Sequence, residues 1–387
     1  MHLFCNASPA FFDVLSQPEK YKYQIVFTQI DRNRSGVPTL THHYFHYNSG
    51  AAGYLYPASL VKLPLSVLAL QKIQSLDKYG ISPFTPMVTD SGFWCQTRTS
   101  RDFTQRDSMP SVEAYIHKMM LVSDNESYNR VYEFLGYDYI GRNLQKHGFP
   151  QYRIIQRYEQ PCDSISHYVT NPVYFLKGRD TLYKQRQQEG IMRLRNPNGE
   201  VWMGESYYDN TGYLFPFSRS FIFNNFAPLH EQQLVLASVF TPHALPASMR
   251  WKVSDENLNV LKKYMGMWPF ESKYPSYALP NSFKKYLLMG NGAALPDSSD
   301  IRSFNVVGRA FGVIADCAYI VDFKNDVEFM VSAELYCNEN GILNDNVYEY
   351  DTVGIPFLVE LGRILYQHEK SRPRNPWHNA ELENLYK

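Results

Sequence analysis

Strand-like β-branched and aromatic runs mark both ends of the chain, and apolar positions recur with helical spacing through its middle. Ser8-Pro9 ahead of Ala-Phe-Phe-Asp-Val-Leu predicts a helix, with Ser as its cap and Pro in the first helical position. Two β-branched and aromatic runs follow, residues 21–30 and 38–47. The turn signal Ser35-Gly36 lies between them, so they read as an antiparallel hairpin. Residues 60–76 then turn helical, with Leu63, Leu65, Val67, Leu68, Leu70 and Ile73 apolar. Helices are also predicted over 111–122, 126–136 (stopped by Gly136), 231–240 and 255–267. Residues 180–200 are polar and read as an exposed connection. Strong strands at 312–323 and 327–336 flank Lys324-Asn325-Asp326, a tight turn by composition, and 353–367 closes as an amphipathic helix.

Strands at both ends and helices between them predict an α+β fold. An antiparallel sheet from the two termini (1–58 and 301–370) packs with helices, and residues 59–300 form a mostly helical lobe across a cleft. Pro373 and Pro376 predict a loose tail over 371–387. A 44% hydrophobic fraction supports a sizeable core, and 20% charged residues are too few for a disordered chain. The 38 basic residues balance 38 acidic ones, which argues against a nucleic-acid partner. No apolar run reaches the roughly 18 residues of a membrane span, and no signal peptide is visible at Met1-His-Leu-Phe-Cys5. Five cysteines without a C-x-x-C exclude a zinc ribbon, make a disulfide scaffold unexpected and leave the compartment open.

Chemistry enters with Ser59-Leu60-Val61-Lys62. On a helix, the i,i+3 spacing stacks an amine beside a hydroxyl, and a neutral amine can take the proton that a serine nucleophile must lose. Ser75–Lys78 and Ser282–Lys285 share the spacing. Only the first follows Tyr56-Pro57-Ala58 and opens a hydrophobic helix, where free N–H groups can help form an oxyanion hole. Pro64 is expected to kink the first turns. Ser123-Asp124-Asn125 reads by itself as a helix cap strengthened by Glu126. His42, His43 and His46 cluster without a nearby acid, a poor zinc set, so no metal or cofactor is expected. Trp94 and Cys95 are candidate walls of the cleft or ordinary packing.

Taken together, YPASLVK and VSDNESYN resemble the first two motifs of the serine β-lactamases and penicillin-recognising enzymes, class A in particular. Arg157-Tyr158-Glu159 resembles the opening of the class A omega loop, and Thr170-Asn171-Pro172 its exit. Gly308 to Gly312 and the following Asp316-Cys317-Ala318-Tyr319-Ile320-Val321 resemble the third-motif strand and its successor. The resemblance implies a β-lactamase/transpeptidase-like fold and a serine hydrolase that forms an acyl-enzyme on an amide, lactam or ester. It implies Ser59 as nucleophile, Lys62 as its proton partner, Ser123 as proton shuttle, Asn125 as a substrate hydrogen-bonder and Glu159 as activator of the deacylating water. Backbone N–H groups of Ser59 and Arg309, beside Gly308, would form the oxyanion hole. A small-molecule or peptide substrate, a monomer and a periplasmic location are implied as well.

Two positions depart from the pattern. Val306-Val307-Gly308 stands where Lys-Thr-Gly is expected, so the cation that binds a substrate carboxylate and adjusts Ser123 is missing; Arg309 and Arg302 are the nearest substitutes. Asp163 stands where the omega loop carries an Asn. A catalytically inactive cell-wall or peptide-binding relative and a glutaminase-like amidase therefore stay open as alternatives.

Overall fold

The strand-like runs at the two chain ends meet in one antiparallel sheet. It comprises β1 (Gln24–Arg32), β2 (Pro38–Phe45), β3 (Ile301–Ala310), β4 (Val313–Asp322) and β5 (Val327–Tyr336), in the order β3-β4-β5-β1-β2. Register places Phe27 opposite Val331 and Val306 opposite Cys317. The structure, a computed structural model, describes residues 2–5, 7–159, 165–290, 300–375 and 377–387.

The principal helices are α1 (Pro9–Ser16), α2 (Lys62–Ser75), α3 (Val112–Val122), α4 (Asn125–Leu135), α5 (Leu229–Phe240), α6 (Asp255–Gly266) and α7 (Ile355–Ser371). Every residue of β4 is buried, because α7 and α1 cover one face of the sheet and α5 the other. That sandwich explains why β4 and β5 read as nearly continuous apolar runs rather than strict alternation. Helix α2 is buried from Lys62 through Ile73 and is surrounded by α3, α4, α5 and α6. Apolar residues on all its sides are what such a central helix requires.

Three expectations need correction. Residues 180–200 are largely exposed, but 180–185 pair with 173–177 as an antiparallel hairpin rather than a plain connection, and Gln185 at its end is buried, accepting from Lys72 Nζ at 2.7 Å. The tail is docked, not loose. Asn379 caps the Ala380–Glu383 helix, Leu382 is only 3% exposed in the core, and the Tyr386 ring lies 4.0 Å from the Arg302 guanidinium. Leu382, Leu385 and Tyr386 make a helical stripe that the preceding prolines obscured. Trp94, finally, is 69% exposed, and Cys95 is disulfide-bonded while Cys5, Cys317 and Cys337 are free thiols.

One buried acid gives the sheet a pH signature. Glu334 on β5 has no hydrogen-bond partner for Oε2, and burial pushes its carboxyl up to about 8. Its folded value lies above the unfolded value of about 4.3, so the folded protein keeps a proton that the unfolded chain releases in between. The associated stability is complete below the lower value and is lost as pH rises through about 8. Glu334→Gln should therefore gain on the wild type between pH 6 and pH 9 in urea denaturation. Parallel curves for the two proteins would contradict this account.

Candidate active site

Tyr56 and Pro57 lead into a short 3-10 turn, Ala58–Val61, which passes directly into α2 at Lys62. Ala58 sits at φ +45, a left-handed conformation that a non-glycine residue adopts only when its surroundings hold it there. Pro64 is the third residue of α2, where an N–H would have no helical partner, so the expected kink becomes a clean change from 3-10 to α geometry. The Leu60 carbonyl is met by the buried Gln232 amide, 3.4 Å away.

Lys62 is fully buried, and its Nζ lies 2.9 Å from Ser59 Oγ, 2.6 Å from Ser123 O, 3.0 Å from Ser123 Oγ and 2.7 Å from Asn125 Oδ1. Two of these partners, a carbonyl and an amide oxygen, can only accept. They fix two N–H groups of the amine and leave its remaining valence facing the two hydroxyls. Burial, then the positive charge of Lys284, hold the amine well below the usual lysine range, while Asp124 and Glu159 pull it partly back. In its neutral form Lys62 would direct its single lone pair toward the serine hydroxyls.

Capping and site geometry coexist at residues 123–125. Ser123 closes α3 in the left-handed conformation, and Asp124 caps α4 by accepting from Ser127 N at 2.6 Å. Because Asp124 alone does the capping, Ser123 and Asn125 are left to meet Lys62. Asn125 Nδ2 also donates to Glu159 Oε1 at 2.9 Å.

Glu159 ends a stretch pinned from below. Asn129 on α4 bonds both the N–H and the carbonyl of Tyr158 at 2.9 Å, the Tyr158 ring stacks on Tyr128, and its hydroxyl donates to the Ala58 carbonyl. Arg157 turns inward to Glu133 at 3.0 Å and to the Ser166 carbonyl at 2.6 Å; it is not the surface partner of Glu159. At the loop's exit, Asn171 donates to the carbonyls of Asp90 and Thr97. Asp163 lies outside the described residues.

Strand β3 runs alongside the Ser59 turn. A Cβ on Gly308 would come within 2.5 Å of the Pro57 carbonyl, so this contact requires glycine. Val306 is 4% exposed and packs with the helical lobe, whereas Val307 packs on the α7 side, as strand parity demands. Arg309 turns toward Tyr350, its guanidinium 5.3 Å from the ring centroid. Arg302 forms an ion pair with Glu271 at 2.7 Å and serves the packing of the tail. Neither arginine takes the place of the missing cation.

A further cation close to Ser123 is one that spacing did not reveal. Lys284 Nζ donates to the carbonyl of Val122, one residue before Ser123, at 2.6 Å. Burial and the charge of Arg309 lower it to about 8. Its neighbour Lys285, the lysine of the third Ser-x-x-Lys, is buried against Ser303 O and Asn305 Oδ1, and Asn305 in turn bonds the Lys284 carbonyl. Lys284 could be found only through a contact with a residue 162 positions away, so no local pattern marked it.

Ser59, Asn125, Glu159 and Arg309 line one cavity of about 430 Å³, together with Tyr56, Gln156, Tyr158, Arg219 and Phe311. Lys62 and Ser123 lie behind its wall. The three histidines stay apart from it: His42 bonds Thr28 Oγ1 at 2.8 Å and His43 bonds Gln29 Oε1 at 2.9 Å.

Comparison with known proteins places residues 12–185 in a match to the model of the Beta-lactamase enzyme family. No curated protein matches the chain. Among solved structures, a β-lactamase from Sphaerobacter thermophilus is 12% identical, with 95% of this chain and 98% of that one covered at a TM-score of 0.48. One from Burkholderia ambifaria is 9% identical, with 93% and 99% covered at 0.49. A PBP-A mutant in acyl-enzyme complex with penicillin G is 13% identical, with 92% and 94% covered at 0.49.

Proposed function

This chain is β-lactamase-like, and from that premise we propose that it is a serine hydrolase working through an acyl-enzyme on Ser59. The observation that carries the reading is the placement of one buried, depressed-pKa amine between two serine hydroxyls, one of which lines a cavity. Ser59 Oγ attacks the carbonyl carbon of an amide, lactam or ester as its proton passes to Lys62 Nζ. Backbone N–H groups of Ser59 and Arg309 hold the oxyanion. The Lys62 ammonium returns a proton through Ser123 to the leaving nitrogen or oxygen, that bond breaks, and the acyl group stays on Ser59. Water then attacks the ester as one of its protons passes to Glu159, the bond to Ser59 Oγ breaks, and that same proton is returned to the Ser59 oxygen. Asn125 joins the two halves of the cycle, touching both Lys62 and Glu159.

Val306 favours the rival reading, a binding protein without turnover. Lys284 speaks against it, because a positive charge is present beside Ser123 although its source is another segment. The disulfide at Cys95 suits an oxidising, extracytoplasmic compartment. The test is intact-protein mass after incubation with a fluorescent penicillin and, separately, a reactive fluorophosphonate. An adduct on Ser59 is expected; no adduct with either reagent on folded protein would overturn the hydrolase reading.

Removing the second cation has a defined sign. Lys284⁺ lowers the Lys62 pKa, so Lys284→Met should raise it and move the acid limb of the acylation–pH profile upward. A shift of one unit makes acylation about tenfold slower on that limb. The difference should fade above pH 8, where Lys284 itself loses its charge. Lys284→Arg should keep the wild-type limb, and an unmoved limb in Lys284→Met would refute the coupling.

A further inference from the structure

The cavity holds an arginine that the hydrolytic cycle does not use. Arg219 belongs to a short strand, Arg219–Ser220, paired with Trp202–Met203. Its guanidinium lies 4.8 Å from the Phe311 ring centroid, 5.4 Å from that of Phe221 and 5.8 Å from that of Tyr207. Among the described residues no carboxylate pairs with it and no carbonyl accepts from it. The groups that favour its charge are phenols: Tyr56, Tyr207, Tyr54 and Tyr348. Arg219 is half-buried, and this partial desolvation without a counterion lowers its pKa.

The other charges lining the cavity are accounted for. Arg157 is neutralised by Glu133, Glu159 is held by Asn125, and Arg309 is exposed to solvent with its guanidinium toward Tyr350. Around Arg219 the wall offers neutral amides, from Gln156, Asn210 and Asn224. Aromatic faces fix the plane of a guanidinium and leave its N–H edge for a ligand, and that edge matches a carboxylate bidentately.

We propose that Arg219 is a specificity-determining residue, and that the acyl group transferred to Ser59 carries a carboxylate that this guanidinium receives. The inference rests on the hydrolase reading, so its test must separate the two. Two activated esters of equal chain length serve as probes: 4-nitrophenyl butyrate, neutral at its end, and 4-nitrophenyl hemisuccinate, which ends in a carboxylate. The wild type should acylate faster with the hemisuccinate by about 10- to 100-fold, the worth of a charge-assisted hydrogen bond. In Arg219→Gln the ratio of the two rates should fall to about one. Because a ratio is read, any general change in activity cancels. Arg219→Lys, which keeps the charge without the fork, should fall between.

No preference in the wild type, or a preference that survives in Arg219→Gln, overturns the proposal. If neither ester acylates Ser59, the hydrolase reading fails, and binding decides the anion site alone. Monomethyl succinate, followed by NMR, should then bind the wild type and not Arg219→Gln; absence of binding to the wild type, or equal binding to both, overturns the proposal.

Discussion

Ser59→Ala is expected to abolish covalent labelling by both a penicillin and a fluorophosphonate, while the midpoint of thermal unfolding stays within about 2–4 °C of the wild type. The asymmetry follows from what the hydroxyl touches. Ser59 Oγ meets Lys62 Nζ at 2.9 Å in a partly exposed position at the cavity wall, and Lys62 keeps three other oxygens when Oγ is removed. A lost hydroxyl of this kind costs roughly 1 kcal/mol. Chemistry loses its nucleophile altogether. Peptide mapping of the labelled wild type and mass measurement of the variant check both halves. Labelling that persists in Ser59→Ala would transfer the role to another nucleophile, with Ser123, 3.0 Å from the same amine, the first to examine.

Lys62→Met should lower the rate of labelling at pH 7 by about 10²–10⁴-fold, the usual worth of a positioned base. Methionine can follow the course of the lysine stem through the core, so the fold is expected to survive. Two opposing terms act on stability. Loss of the amine leaves the Ser123 carbonyl and Asn125 Oδ1 without their donor, which costs about 1–3 kcal/mol for each group left unsatisfied. It also removes a group whose charged form burial penalises. Between the lowered folded pKa and the ordinary unfolded value, the unfolded wild type binds the extra proton, so this lysine makes stability rise with pH across that window. Lys62→Met should lose that slope along with the acid limb of its labelling profile. A variant that retains the wild-type limb at undiminished rate would show that another group takes the Ser59 proton.

What could be read from the sequence was set by how local its cause was. The hairpin of β1 and β2 and the strands β4 and β5 announce themselves through β-branched runs and turns only a few residues long, and Ser8 caps α1 as its chemistry dictates. Ser59 and Lys62 are neighbours on one turn, so their contact is legible from spacing. Their contact with Ser123 and Asn125 is not, and only the resemblance joined the two motifs before the structure did. Arg157 shows the opposite limit: beside Glu159 in sequence, it answers to Glu133 on a different element. Lys284 and Arg219 were invisible for the same reason, since a single cation has no pattern until the surface opposite it is known. The tail was misread because two prolines carry a strong local signal and a stripe of Leu382, Leu385 and Tyr386 a weak one.

The contact of Gly308 with the Pro57 carbonyl also sets a timetable. Ser59, Lys62, Ser123, Asn125 and Glu159 all leave the ribosome well before β3, so the helical lobe can gather its hydroxyls and amine while the chain is still being made. The strand that carries Arg309 arrives long afterwards, and domains fold from the N-terminal side as synthesis proceeds. The nascent protein therefore carries Ser59 without the wall opposite it, and the cavity is completed only when β3 closes against the Ser59 turn. On the proposed reading, reactivity at Ser59 is a late event of synthesis, withheld until the last quarter of the chain has found its place in the sheet.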